Sequence, residues 1–205
     1  MVKILNEAEK TRIARAISEA ESLTGGEIAA VITGQSGDYR YISLGISIAL
    51  SFIAAILLYF FWPVSLMSLW LVQGVVLFLA FFLLQATGTA CFAPVAERQR
   101  NVRRLACEQF LTQGLHNTHN RAAILIFISL QEHCVELITD SGLQGKEDQP
   151  VWQGIIDKLV LAIGAGDLAA GVEQAVAASA GILARHFPQG EAGDNNLLRD
   201  EMIEI

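Results

Sequence analysis

From Tyr41 to Ala96 the chain carries no Asp, Glu, Lys or Arg, an uncharged run of 56 residues bounded by Arg40 and Glu97. All 35 charged residues lie in the other 149, a density near the roughly 25% of ordinary globular domains. The composition therefore averages two populations. A soluble core cannot bury so long an apolar run, because the remaining chain is too short to surround it. A bilayer can, since about 20 helical residues span its hydrocarbon core of about 30 Å and the run is long enough to cross twice. Pro63 divides it into Leu44 to Trp62 and Leu66 to Ala86.

The flanks of the run predict how it sits. Tyr39 and Tyr41 mark one interface and Tyr59, Trp62 and Trp70 the other, where amphipathic aromatic rings favour the headgroup region. Arg40, Arg98, Arg100, Arg103 and Arg104 all flank the open end of this hairpin, so the positive-inside rule puts both soluble segments in the cytoplasm. The expected location is a bacterial inner membrane, crossed twice, with the lipid bilayer as one partner and those arginines near its headgroups. No ionisable residue lies inside the spans, which disfavours a pump or transporter. Met1 to Leu23 is charged and helix-periodic, unlike a signal peptide. A net charge of −7 speaks against nucleic acid as a partner. Cys91, Cys107 and Cys134 lack any paired spacing, so a disulfide framework is not expected.

Outside the run the sequence alternates helix and strand. Asn6 with Glu9 three residues later is a capping box, and Ile13, Ile17 and Ala20 continue at helical spacing. Thr24-Gly25-Gly26 stops that helix, and Glu27 to Thr33 reads as a strand buried on both faces. After the hairpin, Arg98 to Gln113 is amphipathic and ends at Gly114. Ala122 to Leu130 is the strongest strand pattern, followed after three residues by the alternating strand Cys134 to Thr139. Two helices follow, one from Pro150 to Ile163 and one from Asp167 to His186. The predicted fold is a small α/β sandwich with a mixed sheet. Its first two strands are parallel through a helical crossover, and the third is antiparallel. The expected organisation is residues 1–40 and 97–187 as one discontinuous domain, 41–96 as the transmembrane hairpin, and 188–205 as a mobile acidic tail.

Several motifs recur in an order that resembles a known family. The helix opened by Leu5-Asn6-Glu7-Ala8-Glu9, the strand opened by Thr24-Gly25-Gly26-Glu27-Ile28, the hairpin of Ala123 to Leu130 with Val135 to Leu143, and Gly166-Asp167-Leu168-Ala169-Ala170-Gly171 together resemble the TPM domain family. The likeness covers roughly residues 3 to 40 and 95 to 188. It implies a compact α/β sandwich beside a membrane, in a family that includes weak acid phosphatases, metal-binding modules and accessory proteins. The internal hairpin departs from relatives anchored at one end and resembles a bacterial membrane-protein branch.

The candidate chemistry is sparse. Asp140 follows the last strand, Asp167 opens the last helix and Asp38 follows the first strand, so three carboxylates are candidates for Ca²⁺ or Mg²⁺ ligands. The competing reading is that Asp140 and Asp167 cap a turn and a helix. A zinc site from Cys107, His116, His119, His133 and Cys134 matches no standard ligand spacing. Gly164 and Gly166 lack the lysine of a phosphate cradle and read as helix punctuation. Gly45 and Ala49 are a small-residue pair through which the two membrane helices could pack. The leading expectation is a non-catalytic accessory or scaffold module acting on another membrane protein. The alternative is a weak divalent-metal-dependent phosphatase using the acidic loops.

Overall fold

The computed structural model describes residues 5–63, 65–87, 90–188 and 203–204. It divides into two compact units, one of Met1–Ser36 with Gln99–Ile205 and one of Gly37–Arg98. The elements in chain order are α1 (Glu7–Glu21), β1 (Glu27–Thr33), α2 (Arg40–Phe61), α3 (Leu66–Thr87), α4 (Val95–Thr112), β2 (Ala123–Ser129), β3 (Cys134–Thr139), α5 (Gln149–Gly164), α6 (Leu168–His186) and a two-residue β4 (Ile203–Glu204).

In the first unit β1 and β2 run parallel with Glu27 beside Ala123, and β3 returns antiparallel to β2 with Ser129 opposite Cys134. The strand order is β3, β2, β1, β4. Every residue of β2 is buried, because the sheet is covered on both faces. Ile28, Ala30, Ile32, Ile124, Ile126 and Ile128 face a layer that includes α1, α5 and α6. Val31, Leu125 and Phe127 face Val102, Ala106 and Phe110 of α4. Each such side chain contributes about 1.5–3 kcal/mol by leaving water, so two opposed faces on one short strand make β2 the centre of a three-layer sandwich.

Local signals set the boundaries. Asn6 and Glu9 form the reciprocal capping box that starts α1. Gly114, at φ +74°, ends the turn after α4 in the left-handed region that suits glycine. Pro150 stands in the first turn of α5, where its missing N–H has no partner to lose. The expectation of a mobile tail falls mostly on residues 189–202, which lie outside the described residues; Ile203 and Glu204 pair in parallel with Val31 and Ile32.

The second unit is the helical hairpin. Its first helix starts at Arg40, four residues before the expected Leu44, because Asp38 accepts the Arg40 N–H at 3.0 Å and organises the first turn. The buried side of α2 is Ser43, Ser47, Ser51 and Ala55, small side chains every fourth residue that let helices approach closely. Ser47 returns its hydroxyl to the Ser43 carbonyl at 2.6 Å, and Ser51 to Ile48 at 2.8 Å. Gly45 and Ala49, the pair expected to mark the packing face, are both exposed. Tyr39, Ala90 and Ala93 with Ile42 form a small cluster at the open end, where Tyr41 donates to Glu97 at 2.8 Å.

Candidate functional site

Three places in the sandwich unit concentrate polar chemistry. The first lies at the carboxyl ends of β1 and β2. Glu132, only 1% exposed, accepts the N–H of Ser36 at 2.8 Å through Oε1 and the hydroxyl of Ser129 through Oε2. The Ser36 hydroxyl donates to Ser129 Oγ at 2.7 Å. The chain from Ser36 through Ser129 to Glu132 therefore ties the segment leaving β1 to the turn between β2 and β3. The sequence shows Glu132 only as a turn residue, and its partner Ser36 is 96 positions away, so no local pattern announces it.

The second place is the loop after β3. Asp140 is buried and accepts from Ser141 N–H at 2.6 Å and from its hydroxyl at 3.2 Å, all through Oδ1. Arg121 stands 3.8 Å from the same oxygen. Oδ2 is buried and has no hydrogen-bond partner among the described residues. The turn is pressed against Asn120 and Arg121, both in the left-handed region at φ 62° and 53°. Gly142 is what allows this approach, because a Cβ there would stand 2.3 Å from the Asn120 carbonyl oxygen. Glu147, farther along the loop, meets Arg185 and His186 at 3.1 Å each and pins the loop to the end of α6.

The other two candidate acids have local tasks. Asp167 Oδ1 accepts the Ala170 N–H at 3.1 Å and caps α6. Asp38 belongs to the hairpin unit and pairs with Arg40. Among the described residues no three of His, Cys, Asp and Glu gather as a metal-binding group would require, and Cys91, Cys107 and Cys134 form no disulfide. Of the five arginines, Arg40 and Arg98 belong to the hairpin unit, while Arg100, Arg103 and Arg104 are exposed on α4.

The third place is a groove of about 970 Å³ along the outer edge of β3. One wall is α4, with Gln99, Arg103 and Cys107 at four-residue spacing. The other is α5, with Trp152 and Ile156. On its floor the half-buried Glu136 has its carboxyl pKa raised, chiefly because burial penalises the charged form, while Arg103 acts in the opposite sense. The groove offers a concave surface that carries Arg103 together with the carboxylates of Glu136, Glu147 and Asp157.

Comparison with known proteins places these features. Residues 90–182 match the model described as the TPM domain. That stretch contains α4, β2, β3, α5 and most of α6. α1 and β1 precede the hairpin, and β1 completes the parallel pair. The NMR structure of the BA42 protein from the psychrophilic bacterium Bizionia argentinensis is similar at a TM-score of 0.63 and 15% sequence identity, covering 100% of this chain and 98% of that one. At that identity the likeness speaks for the fold. No curated protein matches the chain in sequence.

Proposed function

We propose that this TPM-domain protein is a membrane-anchored, non-catalytic accessory or scaffold module at the cytoplasmic face of a bacterial inner membrane. The observation that carries the anchoring is the exposure of α2 and α3. Each is 22 residues long, about 33 Å at 1.5 Å per residue, and α3 has no buried residue among those described. Phe60, Leu66 and Trp70 are each at least 70% exposed. A water-soluble protein rarely leaves apolar patches above a few hundred Å² open, whereas lipid covers them.

The orientation is tested by cysteine labelling in intact cells, with Cys91, Cys107 and Cys134 first replaced by Ser. A cysteine replacing Ser65 reacts with an impermeant reagent, and one near the C-terminus does not. The reverse pattern inverts the topology. The accessory role is tested with a generic aryl phosphate in Mg²⁺ or Ca²⁺. Turnover that Asp140→Asn abolishes would overturn the non-catalytic reading.

One observation favours the second reading, a weak divalent-metal-dependent phosphatase. The buried Asp140 Oδ2 lacks a hydrogen-bond partner among the described residues, as a ligand oxygen would. Arg121 beside Oδ1 opposes it, because a cation there meets a guanidinium. Ca²⁺ or Mg²⁺ that bound the native state would raise its melting point by mass action. Equal midpoints with millimolar cation and with chelator remove this reading.

A further inference from the structure

The Tyr41 hydroxyl donates to Glu97 at 2.8 Å, a contact inside the hairpin unit, Gly37–Arg98. It holds the first turn of α4 level with the first turn of α2, where that helix begins its long apolar stretch. From there α4 runs unbroken, Val95–Thr112. At 1.5 Å per residue Arg100 stands about 5 Å and Arg104 about 10 Å along the helix from Glu97. The second distance is about one Debye length in 0.1 M salt. Whatever direction α4 takes, neither residue stands farther than that above the level of Tyr41.

Arg100 and Arg104 are four residues apart and share one helix face. Both are exposed, and neither has an ion pair among the described residues. The acids on the same helix are Glu97, which accepts the Tyr41 hydroxyl, and Glu108, one turn past Arg104. Two other arginines are offset. Arg103 lines the groove that also holds Glu136, Glu147 and Asp157, and Arg40 has Asp38 at 3.9 Å. The charge of the chain is also divided by region. Residues 37–104 carry five arginines against Asp38 and Glu97, a net of +3, while the rest holds 9 basic and 19 acidic residues, a net of −10. An anionic surface repels the larger part and attracts the junction.

We propose that Arg100 and Arg104 hold the headgroup phosphates of anionic phospholipids at the open end of the hairpin, so that the bilayer around this protein is enriched in anionic lipid. This rests on the membrane-anchored reading above and names the lipid class that the anchor selects. Guanidinium groups donate paired N–H bonds to phosphate oxygens. A phosphatidylcholine headgroup carries the same phosphate, but its own ammonium neutralises it, so net charge decides between the two lipids. Free inorganic phosphate offers the same chemistry without the acyl chains.

The test uses the full chain in phosphatidylcholine vesicles with trace spin-labelled phosphatidylglycerol or spin-labelled phosphatidylcholine, and reads the motionally restricted lipid by electron paramagnetic resonance. Phosphatidylglycerol associates about five-fold more strongly in about 0.1 M NaCl, the equivalent of about 1 kcal/mol. In about 1 M NaCl, where the Debye length is about 3 Å, the preference disappears. Arg100→Gln with Arg104→Gln removes it at low salt. Arg15→Gln with Lys158→Gln takes the same charge from α1 and α5 and leaves it in place. Equal association of the two lipids with wild type overturns the site and leaves the arginines to an acidic protein partner. A preference that survives loss of Arg100 and Arg104, or that the Arg15 and Lys158 pair also removes, overturns it as well. Millimolar inorganic phosphate at constant ionic strength leaves the preference intact; its abolition would make free phosphate the ligand and overturn the lipid site. A restricted component without preference removes this site and leaves the anchor, whereas no restricted component for either lipid removes the anchor and this site with it.

Discussion

Removing the Glu132 side chain tests whether the buried Ser36, Ser129 and Glu132 group holds the sandwich together. In Glu132→Ala the Ser36 N–H loses a 2.8 Å acceptor and the Ser129 hydroxyl loses its acceptor as well, at a site 1% exposed where water does not replace them. Each orphaned buried donor costs about 1–3 kcal/mol, which gives about 3–5 kcal/mol together with the lost packing. For a unit of this size about 3 °C of melting temperature corresponds to 1 kcal/mol, so the midpoint falls by about 9–15 °C. Glu132→Gln keeps a carbonyl oxygen for Ser36 and offers an N–H to Ser129 Oγ, whose hydroxyl then turns to Ser36 Oγ. Only the Ser36 hydroxyl proton is left over, for about 1–2 kcal/mol. The assay is thermal unfolding of the full chain in nanodiscs, with Trp62 and Trp70 replaced by Phe so that Trp152 reports the sandwich unit. An Ala variant within 3 °C of wild type, or a Gln variant as damaged as Ala, would refute the hydrogen-bond argument.

Three further outcomes rest on particular contacts. Glu136→Gln raises the melting temperature at pH 7 and has no effect near pH 4: burial raises the folded carboxyl pKa, so the native state binds the proton more readily and Glu136 costs stability only once pH exceeds its ordinary value of about 4.3; a pH series of melting curves checks the sign. Gly142→Ala, whose Cβ would stand 2.3 and 2.6 Å from two backbone oxygens, loses about 2–4 kcal/mol, whereas Gly145→Ala, with open space but φ +72°, loses about 1 kcal/mol; urea midpoints of the pair separate clash from strain. Leu77→Arg, at the middle of α3, lowers the carbonate-resistant membrane fraction because an arginine at the centre of a spanning helix costs about 2.5–3.5 kcal/mol, while Leu23→Arg, 65% exposed on the sandwich unit, leaves that fraction unchanged.

How much of this is legible in the sequence depends on the range of the interaction that decides each feature. Asn6 and Glu9 are three residues apart and announce the start of α1 by themselves. The unbroken apolar run of Ala123 to Ile128 announces a strand buried on both faces, and the short stretch before Cys134 announces its antiparallel return. The long uncharged run announces the hairpin but not its packing face: Gly45 and Ala49 match a motif, while the serines of α2 repeat their small side chains over more turns and form the longer flat strip. Glu132 is illegible because its meaning comes from Ser36, far away in sequence. The groove is illegible for a different reason, since its lining residues come from α4, β3 and α5 and meet only once the fold has brought those elements together. β4 is hidden by a tail whose acidic composition reads as unstructured until Ile203 finds a place beside Val31.

The position of the hairpin in the chain has its origin in the same physics. A parallel pair such as β1 and β2 needs a crossover, and α4 supplies it on one face of the sheet. The connection between β1 and α4 has no strand partner of its own, so lengthening it breaks no ladder bond. The entropic cost of a longer connection grows only logarithmically, by about 0.6 kcal/mol per doubling, and a hairpin that packs on itself adds less flexible length than its residue count suggests. Insertion between β2 and β3 would instead separate an antiparallel pair joined by a short turn and would displace Glu132. The buried contact from Ser36 to Glu132 sits where the chain leaves the sheet, and it fixes the end of β1 independently of the hairpin beyond it. A sandwich unit held at that point can carry a long helical hairpin inside its sequence and keep the β1 to β2 pair intact.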